Sequence, residues 1–134
     1  HLWEYPLRSV CTISTHDMST LRGWWEEDAK LTQQFYNQML HREGEAPRVA
    51  STDICEQVIK AHLSSNSILC ILSLQDWLSI DEQWRNPDAQ AERINIPANP
   101  RHYWRYRMHI TLEQLLRADS VNQKIIELIE KSGR

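Results

Sequence analysis

The spacing of apolar residues in this chain changes twice from a strand pattern to a helical one, and each change marks candidate elements. Val10-Cys11-Thr12-Ile13-Ser14-Thr15 reads as a hydrophobic strand. A helix is then expected to open at Ser19 or Thr20 and to run to about Leu40. Its Leu21, Trp24, Trp25, Leu31, Phe35 and Met39 recur close to a 3.6-residue period, with acidic Glu26-Glu27-Asp28 beside them. Residues 42–50, with Gly44 and Pro47, read as a turn. Asp53 followed by Glu56 has the form of a capping box, and Ile54, Cys55, Val58, Ile59 and His62 share one face of the helix it would start. Ser64-Ser65-Asn66-Ser67 ends that helix.

Ile68-Leu69-Cys70-Ile71-Leu72-Ser73-Leu74 is apolar on both faces, the pattern of a buried parallel strand; periodicity alone leaves a short buried helix open. Residues 75–107 are expected to be mostly loop, because Asn86-Pro87, Ile96-Pro97 and Asn99-Pro100 each disfavour helix before the proline. Two short helices follow. One runs from Thr111 through Leu116; the other is capped by Ser120 with Gln123 and carries Val121, Ile125, Leu128 and Ile129 on one stripe. The order implies an α/β class: two parallel strands with a mostly helical and loop remainder, and no internal repeat.

Length limits this reading. A closed barrel of eight strand-helix units needs about 250 residues, and the chain has 134. It opens at His1 and reaches its first strand within ten residues without a signal-like segment, so it is expected to be a piece of something longer. The formal net charge of −3 provides no broad field for polyanions, so no nucleic-acid partner is implied. The longest apolar run falls far short of the roughly 20 residues that span a bilayer, so no membrane partner is implied either. Cys11, Cys55 and Cys70 are odd in number and widely spaced, as expected of reduced core thiols in a cytoplasmic protein. His62 falls on an apolar face and is expected to be buried. No spacing of His, Cys or carboxylates suggests a metal, and no cofactor is expected.

Candidate chemistry centres on Ser14-Thr15-His16-Asp17-Met18, where the first strand gives way to the Trp-rich helix. In parallel α/β sheets the C-terminal strand ends face the ligand crevice, which makes Asp17 the leading functional residue; the competing reading is that Asp17 caps the helix. Asp76 has the same ambiguity, as a loop residue after the second strand or as the N-cap of a short helix through Trp77 and Leu78. Residues 101–109 alternate basic and aromatic side chains in strand-like fashion and are expected to serve packing. Trp24 and Trp25 are expected to fill core.

Four ordered blocks carry a resemblance. Thr15-His16-Asp17 with Leu21-Arg22-Gly23-Trp24-Trp25, then Leu74-Gln75-Asp76, then Arg93-Ile94-Asn95-Ile96-Pro97, and finally Tyr103-Trp104-Arg105-Tyr106-Arg107 cover most of residues 7–117. Together they resemble the C-terminal part of the amylomaltase or disproportionating-enzyme family of 4-α-glucanotransferases, nearest the branch containing the plant cytosolic disproportionating enzyme. The chain departs from the family pattern at Ser14, where a glycine is common, and at Ile94 and Ala98, where a methionine and a glycine are more usual. These departures bear on loop geometry.

The resemblance implies a (β/α)8 barrel with insertions. Residues 1–117 would be its last two β/α units and residues 118–134 a C-terminal helix. It implies transfer of α-1,4-glucan segments between oligo- or polysaccharides with retention, through a covalent glycosyl-enzyme, within starch, glycogen or maltose metabolism. Asp17 would be the acidic residue that stabilises the transition state, with His16 donating to the same sugar ring, and Gln75, Asp76, Arg93 and Asn95 would bind substrate. The nucleophile and the acid/base would lie upstream of His1. The isolated segment is therefore expected to be inactive, to need the rest of the barrel and to self-associate. The alternative class is a stand-alone helical interaction or carbohydrate-binding module without catalysis.

Overall fold

The computed structural model describes residues 1–134. Two strands, β1 (Val10–Cys11) and β2 (Leu69–Cys70), pair in parallel with Val10 opposite Leu69 and Cys11 opposite Cys70. The helices α1 (Leu21–Trp25), α2 (Ala29–Gln38) and α3 (Thr52–Leu63) lie between them in sequence, and α4 (Leu74–Leu78), α5 (Leu112–Leu116) and α6 (Asp119–Ser132) follow. Single 3-10 turns occur at Leu2–Glu4 and Gln90–Glu92. The α/β class is borne out, with helix dominant.

Both strands are much shorter than their hydrophobic runs. A strand persists only while a neighbour supplies hydrogen-bond partners, and here each has one neighbour. Beyond Cys11 the Thr12 hydroxyl donates to the Ser14 carbonyl at 2.7 Å and bends the backbone away. Beyond Cys70, Ser73 becomes the N-cap of α4, its hydroxyl accepting the Asp76 N–H at 3.1 Å, so Leu74 is helical rather than extended. The expected burial of the second strand on both faces is also overturned: Ile68, Leu69 and Ile71 are 60%, 51% and 59% exposed.

Local capping chemistry accounts for the helix boundaries. The stretch from Leu21 to Leu40 is two helices, because the Asp28 carboxylate accepts the N–H groups of Lys30 (2.8 Å) and Leu31 (3.1 Å) and opens α2. Leu31 and Met39 turn outward as a result. Ser51 rather than Asp53 precedes α3, and Asp53 sits in its first turn, paired with Arg42 at 2.6 Å. The α6 helix begins one residue before the expected Ser120 cap, whose hydroxyl instead donates to Asp81 at 3.1 Å. Thr111 and Gln114 form the reciprocal capping box that opens α5. The 101–109 segment forms no strand, and its Tyr103 and Trp104 are exposed, which overturns the packing expectation for both.

One core joins the helices. Leu21 and Trp25 of α1, Ile54, Val58 and Ile59 of α3 and Val121 and Leu128 of α6 are buried together. Edge-to-face contacts of Trp24 and Trp25 with Phe35 extend it toward α2. Trp25 also donates its indole N–H to the Pro47 carbonyl at 2.8 Å. The Arg134 guanidinium closes the far end, donating to the Ser65 and Ser67 carbonyls at 2.7 and 2.8 Å. Cys11 and Cys55 are buried and Cys70 is half-buried, all three as free thiols. Burial pushes the Cys55 thiol up to about 11.

His62 is half-buried on α3, with Nδ1 2.8 Å from the Val58 carbonyl oxygen, and burial pushes its pKa below the ordinary histidine value. The folded state therefore binds fewer protons at His62 than the unfolded chain does. Its contribution is fully present above the unfolded value of about 6.5 and is lost as pH falls through the lowered one. Unfolding midpoints measured between about pH 5 and 8 should decline on the acid side, and His62→Gln should flatten that decline. Identical slopes in the two proteins would remove His62 from the account.

Candidate active site at the strand ends

The site is assembled from three loops that meet beyond the C-terminal ends of β1 and β2. The first, following β1, carries Ser14, His16 and Asp17. Asp17 does not cap α1: Thr20 does, its hydroxyl accepting the Gly23 N–H at 3.3 Å. The Asp17 carboxylate is instead exposed, with Oδ1 accepting from the Asn95 amide at 2.7 Å and Oδ2 lying 3.4 Å from His16 Nε2. A carboxylate has about four acceptor positions, so two such neighbours leave room for further donors.

The second loop, residues 93–95, arrives from 78 residues further along the chain and is tied down at both backbone and side chain. Asn95 N–H donates to the His16 carbonyl at 3.0 Å. Arg93 Nε donates to the Asn95 carbonyl at 2.9 Å, and its Nη1 donates to Ser19 Oγ at 2.8 Å. Arg93 thus holds Asn95 in place rather than pointing at open solvent.

Beneath both loops lies a buried polar hub. Arg22 and Glu92 are 3% and 2% exposed and form an ion pair, while the Thr20 hydroxyl donates to the second Glu92 oxygen at 2.8 Å. Burial pushes the Glu92 carboxyl above the usual carboxylate range, against the opposing pull of Thr20 and Arg22. Arg22 also donates to the Asn86 carbonyl at 2.7 Å, and Gln75 donates its amide to the Glu92 carbonyl at 3.2 Å. Gly23 lets α1 approach this turn: a Cβ there would meet Ser19 Cβ at 3.2 Å and the Ala89 carbonyl oxygen at 3.7 Å.

The third loop, after β2, brings Asp76, which is 1% exposed. Its carboxylate accepts from the hydroxyls of Ser14 and Ser73 and from the Leu21 N–H at 3.0 Å. Ser73 caps α4, so Asp76 sits inside that helix and fastens the two strand ends to the start of α1. Ser14, one of the departures from the family pattern, supplies a hydroxyl to this knot that glycine would lack. A cleft of about 210 Å³ opens above it, lined in part by Ser14, His16, Ser73, Gln75 and Glu92.

The structure therefore gathers Asp17, His16 and Asn95 at the surface, with Arg93 bracing them, Gln75 lining the cleft and Asp76 buried below. Sequence reasoning missed Glu92, whose partners Thr20 and Arg22 lie 72 and 70 residues away and leave no local signal. It also missed Trp104, whose indole lies against the His16 ring with centroids 5.0 Å apart and planes tilted by 50°. No group of three or more His, Cys, Asp or Glu side chains converges as a metal site would require. No helix is long and apolar enough to cross a membrane.

Comparison with known proteins bears out the resemblance drawn from the four blocks. A family model described as 4-alpha-glucanotransferase matches residues 1–113. The 4-alpha-glucanotransferase DPE2 of Oryza sativa subsp. japonica is 38% identical over 131 residues, covering 98% of this chain and 14% of that protein. The 4-alpha-glucanotransferase of Chlamydia pneumoniae is 32% identical over 131 residues, covering 97% of this chain and 24% of that protein. The chloroplastic/amyloplastic 4-alpha-glucanotransferase DPE1 of Oryza sativa subsp. japonica is 31% identical over 133 residues, 97% of this chain and 19% of that protein. The chain spans a quarter or less of the length of these relatives. With the family match covering most of its residues, the chain belongs to the 4-alpha-glucanotransferase family.

Proposed function

We propose that this chain is the C-terminal segment of a glucanotransferase catalytic barrel and that it supplies the carboxylate that stabilises the transition state of α-1,4-glucan transfer with retention. The observation that carries the reading is the Asp17 carboxylate at the strand end, exposed yet fixed by Asn95 at 2.7 Å and flanked by His16 at 3.4 Å. An exposed carboxylate held by a residue 78 positions away is a built feature. A helix cap would need only local partners.

Retaining transfer needs a nucleophilic carboxylate and a second carboxyl that acts first as acid and then as base, roughly 5 Å apart. The glycosidic bond breaks as the acid protonates the leaving oxygen, and a glycosyl–enzyme bond forms at the anomeric carbon. An acceptor hydroxyl then displaces the enzyme and gives its proton to the base. On this reading both groups come from outside residues 1–134. Asp17 accepts hydroxyl hydrogen bonds from the sugar ring, and those bonds strengthen as positive charge develops on the ring. His16 and Asn95 hold the carboxylate and offer donors to the same ring. Arg93, Gln75 and Asp76 position the loops.

The exposed apolar side chains of Val10, Ile68, Leu69 and Ile71 support placing further strands against this sheet, as in a (β/α)8 barrel of which residues 1–117 form the last two units. Residues 118–134, which hold α6, then brace α3 from outside. Left alone, the same surface favours self-association. The three free thiols suit a cytoplasmic setting.

The test uses a full-length protein carrying this chain, assayed on maltose and maltooligosaccharides. Asp17→Asn should lower turnover by roughly 10³-fold with little change in KM, because the lost interaction strengthens only as the transition state forms. The 134-residue chain alone should transfer nothing. Near-normal turnover in the Asn variant, or turnover by the isolated chain, would overturn the assignment and favour a binding module.

A further inference from the structure

Trp104 stands out among the six tryptophans of this chain. It is 62% exposed; Trp3 is more exposed still, at 67%, but stacks on His1, whereas Trp25 is buried and Trp24, Trp77 and Trp84 pack against the core. Its indole lies against His16, the neighbour of Asp17, and its N–H donates to no protein group. The position is held by connections on both sides of the site. His102 Nε2 lies 2.9 Å from the Ile94 carbonyl oxygen, and the adjoining Asn95 N–H donates to the His16 carbonyl at 3.0 Å. The indole is thus fastened, through Ile94 and Asn95, to the loop that carries Asp17.

A broad, rigid aromatic face held in solvent beside convergent polar groups is a recognition surface, since exposing an indole forgoes the burial that stabilises it elsewhere. A pyranose ring matches it, with C–H groups on its faces and hydroxyls around its rim. The indole offers the apolar face and one donor, while Asp17, His16 and Asn95 offer the acceptors and donors that a hydroxyl rim needs. Building on the proposed glucan transfer, we propose that Trp104 is a sugar-stacking platform that seats one glucose unit of an α-1,4-glucan beside the Asp17 carboxylate. Tyr103, also exposed and overlaid by Arg105 at 5.6 Å, flanks this platform in sequence.

The experiment compares the full-length protein with its Trp104→Ala and Trp104→Phe variants on maltooligosaccharides from maltose to maltoheptaose. Trp104→Ala should raise KM about ten-fold, the scale on which a single aromatic anchor contributes to binding. Trp104→Phe should restore most of the affinity. The melting temperature should stay within about 2 °C of the parent, since no core contact is removed. Maltoheptaose should also change the tryptophan emission of the parent, and Trp104→Phe should abolish that change; this readout needs no turnover. An unchanged KM together with unchanged emission would overturn the platform. A fall in melting temperature with KM unaltered would do the same, by showing that the indole packs against another part of the protein. A parent that transfers no glucan but keeps the Trp104-dependent emission change would overturn the catalytic reading while leaving the platform standing.

Discussion

The buried pair of Arg22 and Glu92 is the constraint on which the site depends. Two charges at 3% and 2% exposure are costly to desolvate, and they are held by Arg22 on one Glu92 oxygen, the Thr20 hydroxyl on the other and the Asn86 carbonyl on Arg22, with Arg22 Nε left without a partner. Removing one member of such a pair leaves the other charged and unpaired in the interior, at a cost of about 3–5 kcal/mol. The pair is therefore a switch-like requirement for the loop path. Either the loop from α4 through Asn95 returns to α1, or two charges lose their partners.

That return path is what brings Asn95 to Asp17. Glu92 lies three residues before Asn95, and between them Arg93 locks the loop to Ser19 and Glu27. On the other side, Asp76 ties Ser14, Ser73 and Leu21 together, so the ends of both strands and the start of α1 move as one unit. Two buried carboxylates with both oxygens hydrogen-bonded inside the protein thus hold one exposed carboxylate that is open to solvent. The division is chemically sensible, since hydrogen-bonded buried groups fix geometry and an exposed group can bind.

What was legible in the sequence was local. Thr20 as a helix start, Thr111 with Gln114 as a capping box and the helical stripe of Val121 and Leu128 follow from spacings of three and four residues, and each recurs in the fold. Asp17 was singled out by its place after the first strand and His16 and Asn95 by the resemblance. That Asn95 bonds Asp17 across 78 residues was not legible, because no spacing pairs residues so far apart. Strand length was not legible: a hydrophobic run records what a segment can bury, whereas pairing depends on neighbours, and β1 and β2 have only each other. The alternation at residues 101–109 misled for the same reason. With no strand beside it, that segment leaves Trp104 facing solvent next to His16. Glu92 was invisible because nothing local marks a carboxylate whose partners lie about 70 residues away.

The most direct test of the account is amide hydrogen exchange at Asn95 in the full-length protein and in its Glu92→Gln variant, with Ile59 in the core helix α3 as the internal reference. If the Arg22–Glu92 pair sets the loop path, the Asn95 N–H, which donates to the His16 carbonyl at 3.0 Å, should lose about ten-fold or more of its protection. Ile59 should keep its protection. Equal Asn95 protection in the two proteins would show that the loop reaches Asp17 without the buried pair, and the central claim would fail.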